Sequence, residues 1–288
     1  MIQTKTEKTK GREFFRELTA MLRGAGLESP ALEASLILDE VAGTCGHRAQ
    51  DAQLSPPQKT RAAALVEVRA GGVPLAYVLG RREFMSIDIR VDERVLIPRP
   101  ETETLVETAE RWAARRGGGV TFLDIGTGSG NIAISLLARD SVSRVVGVDI
   151  SEEALQVAKL NARDHGVGDR FCVVCGDVTQ PLRNSFKADI VVSNPPYISD
   201  EEFDELPREV GEHEPKIALR GGRDGLDFYR RLAKSIPNHL ASDGVVAVEV
   251  GFHQADAVGW ILSESALEIV EVVKDLAGID RVIVGRNA

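Results

Sequence analysis

Residues 120–131 read VTFLDIGTGSGN. An apolar run of strand length, interrupted by one acid and closed by three glycines, describes a chain leaving a buried strand through a loop whose backbone approaches something closely. The spacing narrows that reading. Gly126, Gly128 and Gly130 recur at every second position, whereas the dinucleotide fingerprint wants its third glycine or alanine three residues after the second, where Asn131 stands. The loop therefore fits poorly as a nicotinamide site, although its glycines still admit a ligand against the backbone.

Outward from this stretch the chain alternates. The apolar runs VTFLDIG (120–126), RVVGVDI (144–150), FCVVCGD (171–177), DIVVSN (189–194) and GVVAVEVG (244–251) are separated by helical or polar stretches. That alternation predicts an open parallel sheet with helices on both faces, whose ligands bind beyond the carboxyl ends of the strands. Two last runs, EIVEVVKD (268–275) and DRVIVGR (280–286), leave no room for a crossover helix and predict a terminal antiparallel pair. Asp149, ending the second strand, is placed to accept both hydroxyls of a ribose. Glycine loop, terminal acid and closing pair together resemble the S-adenosylmethionine-dependent methyltransferase fold, in which the loop packs on the methionine part and the acid holds the ribose.

The fourth strand leaves the sheet through VVSNPPYIS (191–199), an unusually rigid corner. Asn194 emerges at the same sheet edge as the glycine loop and Asp149. Pro196 restricts Pro195 to extended backbone and removes a donor, which leaves the Pro195 carbonyl free to accept. With the side-chain oxygen of Asn194 beside it, the corner offers two acceptors to a planar NH₂ group, and Tyr197 can stack on the group carrying that nitrogen. An amide nitrogen is a poor nucleophile because its lone pair is delocalised. Catalysis at such a corner consists of placement, with acceptors that strengthen as positive charge develops on nitrogen.

The first part of the chain reads as helices. Phe14, Leu18, Met21 and Leu22 fall at helical spacing before Gly24 and Gly26; Ser29 and Pro30 open a second helix that Gly43 closes; a third spans about 57–70. Their role is either a folding cap or partner recognition. In SIDIRV (86–91) Ile87, Ile89 and Val91 alternate with polar residues, so a hairpin is expected between about 80 and 97. Pro100 forces Arg99 out of helix, after which LIPRPETETLVETAERW resumes a helical pattern through Leu105, Ala109 and Trp112. Glu101 and Glu103 near that N-terminus either complement the helix dipole or belong to a turn closing over a ligand.

Composition sets the class. With 288 residues, 43% of them hydrophobic, the chain can bury a full core, and no apolar run approaches the roughly 18 residues of a membrane span. The N-terminus MIQTKTEKTKGREFF lacks the apolar centre of a signal peptide, so a soluble cytoplasmic protein is expected. Of the net charge of −9, residues 101–288 hold −11 and residues 1–100 hold +2, which weighs against an enzyme living by phosphate contacts. Cys172 and Cys175, three apart in a strand, are read as small core hydrophobes rather than a redox pair or zinc ligands.

From about residue 70 onward the chain resembles the HemK-type family, methyltransferases that modify the glutamine of the Gly-Gly-Gln motif in class I peptide-chain release factors. The resemblance lies in GGVPLAYVLGRREFMSIDIRV, LIPRPETE, LDIGTGSGNIAI, VSNPPYI, the EP and GGRDGLDFYR segments, VEVGFHQ and the closing DLAGIDRVIVGR. It implies a seven-stranded Rossmann-like class I methyltransferase domain over 99–288, preceded by a helical substrate-recognition domain over 1–75 and a β-hairpin linker over 76–98. By the same resemblance Gly126, Thr127, Gly128, Ser129, Gly130, Asp149, Asp177, Val178 and Asn194 line an S-adenosylmethionine site. Asn194, Pro195, Pro196 and Tyr197 would hold the substrate glutamine, with Asn194, Pro195 and Tyr197 as the catalytic set. The family often carries an aromatic residue where Val178 stands. Adenine and cytosine amino-methyltransferases use a similar corner because an exocyclic amine poses the same problem, and the acidic catalytic half disfavours them. His213 and His253 are given no role, since glutamine alkylation needs no prior base.

Overall fold

The computed structural model describes residues 2–46, 54–139 and 142–287, with only the backbone described for residues 2–10 and 143. Two compact units make up the chain, one running to Gly80 and including Arg208–His213, the other holding the remainder.

Helices form the first unit: α1 (Ile2–Gly24), α2 (Pro30–Ala42), α3 (Pro56–Ala70), α4 (Leu75–Leu79) and the later α9 (Arg208–His213). Leu18, Leu22, Ile37, Leu38, Ala62 and Val66 make its dry centre. Phe14 is half-buried, but Met21, expected on the same face, is 39% exposed, because Leu18 and Leu22 already complete the contact with α2 and α3. Ser29 and Pro30 start α2, and Gly43 closes it at a φ of 66°, a left-handed conformation that favours glycine. At α3 the Ser55 amide donates to Gln58 Oε1 at 2.9 Å. Arg69, nearly buried, ties the unit together by donating to Glu33 at 2.6 Å and to the Val73 carbonyl at 3.0 Å, with Glu209 of α9 at 3.1 Å. Because α4 continues the helical run, this unit reaches past residue 75.

The second unit opens with the hairpin β1 (Arg81–Phe84) and β2 (Ile87–Arg90), antiparallel with Phe84 opposite Ile87. Ile89 and Val91 are buried, and Ile87 half-buried. Its two-residue turn puts Met85 and Ser86 at φ of 51° and 64°, and Glu103 accepts the Met85 amide at 2.8 Å. Glu103 is thus engaged by a hairpin turn whose residues sit in an unfavoured region.

Seven strands form the central sheet: β3 (Val120–Ile125), β4 (Val142–Asp149), β5 (Phe171–Cys175), β6 (Ala188–Ser193), β7 (Leu240–Glu249), β8 (Leu267–Lys274) and β9 (Asp280–Asn287). Their order is β5-β4-β3-β6-β7-β9-β8. The pairs from β5 through β7 are parallel, while β9 runs antiparallel between β7 and β8, as the closing runs predict. Between the strands lie α5 (Glu103–Ala114), α6 (Asn131–Leu137), α7 (Glu152–Asp164), α8 (Asp200–Asp204), α10 (Asp227–Ser235) and α11 (Ala255–Ser263). Arg99 is extended, as Pro100 requires, and a short helical turn over Pro100–Thr102 leads into α5. Val191, Val246, Val248, Tyr229, Leu232 and Ile283 anchor the main core.

One expectation about the sheet is overturned. Cys172 and Cys175 are both exposed, because β5 is the outermost strand of the sheet and has no neighbour on its free edge. Among the described residues no helix is long and apolar enough to cross a membrane.

Candidate active site

Parallel pairing brings the carboxyl ends of β4, β3 and β6 to one edge, and the loops leaving them meet there. After β3 the chain passes through Gly126, Gly128 and Gly130 at φ of 75°, 54° and 78°. Any side chain would be strained at these three positions, which explains the alternate spacing. The loop is fastened to the end of β4: the Gly126 and Thr127 amides donate to the Val148 carbonyl at 2.8 and 3.1 Å, and the Gly128 amide donates to Asp149 Oδ2 at 2.8 Å. Asp149 Oδ1 accepts the Ser151 amide at 2.9 Å. Each carboxylate oxygen holds one N–H here and retains acceptor capacity. Burial pushes the Asp149 pKa up, while the amides of Ser151, Gly128 and Ile150 oppose the rise.

A cleft of about 400 Å³ opens at this edge, lined by Gly126, Gly128, Asp149, Asp177, Val178, Asn194 and Pro196, with Ile150 and Ile217 among its apolar walls. Thr127, Ser129, Gly130, Pro195 and Tyr197 are not part of that lining. Three of these five build the loop itself. Thr127 donates to the buried Asp124 at 2.6 Å, the Ser129 carbonyl accepts from Asn161 at 2.9 Å, and Gly130 caps α6. Asp124 is pushed up to about 7 by burial and by the nearby charge of Asp149, against its bond from Thr127. Asp177 already receives Arg231 at 2.7 and 2.8 Å, and Val178, nearly buried, sits at a φ of 51°, which is costly for a β-branched residue.

The corner after β6 is held from several sides. Ser193 donates to the Ile125 carbonyl at 2.7 Å, tying the ends of β6 and β3 together. Asn194 Nδ2 donates to Thr102 Oγ1 at 2.9 Å. Pro195 is buried, and Pro196 and Tyr197 are half-buried. The Tyr197 carbonyl accepts from Gln254 Nε2 at 2.9 Å, and Gln254 Oε1 in turn accepts the Gly251 amide at 3.1 Å. A Cβ on Gly225 would stand 2.3 Å from the Tyr197 carbonyl oxygen, so only glycine lets the 219–225 loop pass there. That loop joins Ile198 through the Ile198 amide to the Leu219 carbonyl at 3.0 Å and the Gly221 amide to the Ile198 carbonyl at 2.8 Å. The Tyr197 phenol donates to Glu249 Oε1 at 3.5 Å, and burial holds its pKa above the usual tyrosine range.

Sequence reasoning missed Thr102, Glu214, Glu249 and Gln254. Glu249 ends β7 fully buried, its Oε2 has no partner, and burial pushes it up to about 7. The Thr102 hydroxyl, Arg281 and Tyr197 oppose that rise, and Glu101 adds to it. Its signal was visible, since an acid inside the apolar run GVVAVEVG is expensive to bury without a purpose. Glu214 accepts the Ile97 amide at 3.0 Å and the Arg99 guanidinium, pinning the segment that delivers Thr102. No such local signal marks Thr102. His253 lies against Phe252 with ring centroids 3.7 Å apart and the rings tilted by 48°, and neither His253 nor His213 lines the cleft.

Comparison with known proteins agrees with this layout. Residues 117–256 match a family model described as a methyltransferase domain, and residues 13–80 match one described as the PrmC N-terminal domain. The release factor glutamine methyltransferase of Agrobacterium fabrum is 37% identical over 92% of this chain and 93% of its own length. Those of Caulobacter vibrioides and Nitratidesulfovibrio vulgaris are 39% and 40% identical, covering 92% and 94% of this chain and 92% and 93% of theirs. Among solved structures, a methyltransferase from Pyrococcus furiosus superimposes with a TM-score of 0.54 at 16% identity, covering 80% of this chain and 98% of that one. The ribosomal protein L11 methylase of Lactobacillus delbrueckii subsp. bulgaricus gives 0.51 at 18%, covering 69% and 84%. Both share the fold.

Buried Glu249 makes stability depend on pH. Its pKa rises from 4.5 to about 7 on folding, so its contribution is complete below the unfolded value and is lost as pH climbs towards 7. Glu249→Gln, which cannot ionise, is expected to be more stable than the wild type by roughly 3 kcal/mol at pH 8, with the difference fading towards pH 4.5. Urea denaturation at both pH values measures it; a difference independent of pH would show that Glu249 titrates as it does in the unfolded chain.

Proposed function

Since this chain belongs to the release factor glutamine methyltransferase family, we propose that it methylates the side-chain amide nitrogen of the glutamine in the Gly-Gly-Gln motif of class I peptide-chain release factors. S-adenosylmethionine is its cofactor and, when bound, supplies an electrophilic methyl group on a sulfonium. The residues fit that group. Asp149 has acceptor capacity to spare for two hydroxyls, the glycine loop leaves the cleft floor without side chains, and the walls are largely apolar. In this reading Gly126, Gly128, Asp149 and Val178 hold the cofactor, and Asn194 with the Pro195 carbonyl receives the substrate amide.

The observation that carries the reading is the state of Asn194. One N–H of its Nδ2 donates to Thr102, which holds the NH₂ end on that side and leaves Oδ1 as the acceptor for an incoming NH₂ group. Two acceptors on a backbone locked by consecutive prolines can grip both amide hydrogens and direct the nitrogen lone pair. As methylation proceeds the nitrogen becomes cationic, and both acceptors bind it more strongly than they bind the neutral amide. No general base is required before transfer, which accords with histidines that do not line the cleft. A translation factor as substrate places the enzyme in the cytoplasm.

Three outcomes follow from these assignments. Asp149→Ala is expected to weaken S-adenosylmethionine binding by roughly 1.5–3 kcal/mol, read by calorimetry, and unchanged affinity in the folded variant would take Asp149 out of the site. Asn194→Ala should lower single-turnover transfer to a release factor on the order of 10²–10³-fold while cofactor affinity moves far less. An isolated Gly-Gly-Gln peptide should be a much poorer substrate than the intact factor, because contacts remote from the glutamine help to position it. Labelled methyl groups located by mass spectrometry decide the acceptor, and label on duplex DNA instead of the factor would replace the reading with a nucleic-acid one.

A further inference from the structure

Strand order fixes the direction in which a cofactor lies along the cleft. The exits run β5, β4, β3, β6 across the sheet, with residues 176–178 after β5, Asp149 at the end of β4 and Asn194 after β6. A cofactor whose ribose is held at Asp149 and whose methyl group must meet an amide at Asn194 has its purine on the remaining side, at the exit of β5. Gly176, Asp177 and Val178 line the cleft there. Arg231 brings α10 to the same place, because its guanidinium donates to both Asp177 oxygens at 2.7 and 2.8 Å and lies 5.0 Å from the centroid of the Phe228 ring. A purine is a flat π-system that gains most from another flat face. Val178 offers none, being aliphatic and only 7% exposed. Among the described residues Phe228 is the one aromatic side chain in the lining of the cleft.

Both neighbours of Phe228 hold it in place. Tyr229 is fully buried and donates its phenol to the Glu249 carbonyl at 2.8 Å, which fixes the rotation of α10. Successive helix residues stand about 100° apart, so Phe228 is turned away from that contact and lies half-buried at the margin of the main core. On its other side the Asp227 amide donates to the Gly221 carbonyl at 3.0 Å, and a Cβ on Gly222 would collide with the Asp227 carboxylate, so glycine is needed for the turn that starts α10. Building on the assignments of Asp149 to the ribose and Asn194 to the substrate amide, we infer that Phe228 is the residue on which the adenine of S-adenosylmethionine stacks in this chain. The bond from Arg231 to Asp177 keeps α10 against the exit of β5 and so keeps the ring in the cleft wall. The ring has one competing task. With Pro196 and Arg220 it also lines an adjoining hollow of about 550 Å³, where it would touch substrate instead of cofactor.

The test is calorimetry on the full-length protein with S-adenosylhomocysteine and, by displacement, with adenosine, which has the purine and the ribose but no methionine part. Phe228→Leu keeps apolar bulk and removes the π face; it is expected to weaken both ligands by the same factor, about 3- to 12-fold. Phe228→Trp should bind both within about twofold of the wild type or more tightly, and it adds a fluorophore. Neither Trp112 nor Trp260 lines the cleft, so adenosine should quench tryptophan emission in Phe228→Trp far more than in the wild type. Unchanged affinity of Phe228→Leu for adenosine, where Asp149→Ala weakens both ligands, overturns the inference and leaves the ribose placement standing. Emission of Phe228→Trp that ignores adenosine overturns it as well, and decides alone should Phe228→Leu fail to fold. A raised KM for an intact release factor with cofactor affinity untouched assigns the ring to the adjoining hollow instead. Weakening by Phe228→Leu with none by Asp149→Ala keeps the stacking and removes only the ribose assignment, whereas no effect of either variant on either ligand overturns both.

Discussion

Parallel strand pairing is the constraint on which the rest of this structure depends. In β4, β3, β6 and β7 the chain always exits at the same edge, so residues far apart in sequence are delivered to one place: Gly126–Gly130 after β3, Asp149 at the end of β4, Asn194–Tyr197 after β6 and Glu249 at the end of β7. The bond from Ser193 to the Ile125 carbonyl and the bond from the Gly128 amide to Asp149 then tie three of these exits together. The cleft is a consequence of that convergence, and it needs no large loop movement to form.

Rigidity at the corner after β6 is assembled from unrelated parts of the chain. Consecutive prolines limit the backbone, Gln254 and Gly225 hold the Tyr197 carbonyl side, and the 219–221 segment runs beside Ile198. Such redundancy suits chemistry that works by placement, in which a shift of the acceptors by a fraction of an ångström weakens their hold on the transition state. Two carboxyl groups, Asp124 and Glu249, are buried with one oxygen each left unpartnered. Burial at that cost is tolerated where it organises something, here the Thr127 hydroxyl under the glycine loop and the Tyr197 phenol at the corner after β6.

Where the sequence reading went astray, the cause is neighbourhood. Cys172 and Cys175 sit in an apolar run and look like core residues, yet β5 is the sheet's edge, and strand order is not written in any local pattern. Met21 keeps helical register with Leu18 and Leu22 but stays outside the contact, since a helical period marks a face without saying how wide a face its partner covers. Glu103 does stand in the first turn of α5, as the dipole reading has it, but it also accepts an amide from the hairpin turn at Met85, a contact between segments that no spacing rule relates.

By itself the sequence determined the alternation of strands and helices, the closing antiparallel pair, the glycine loop and the corner at Asn194. All of these follow from short-range rules: hydrophobic period, glycine's access to positive φ, and proline's restriction of itself and the residue before it. It also named Asp149 and Asn194 as the polar groups to watch, because a polar side chain at the end of an apolar run is conspicuous. Only the tertiary structure decided which lone pairs remain free. That Asn194 Nδ2 donates to Thr102, 92 residues away, and that Glu249 receives the Tyr197 phenol with its other oxygen left open, are outcomes of packing between segments distant in the chain. Hydrogen-bond direction depends on which neighbours arrive, and neighbours are what a linear sequence does not display.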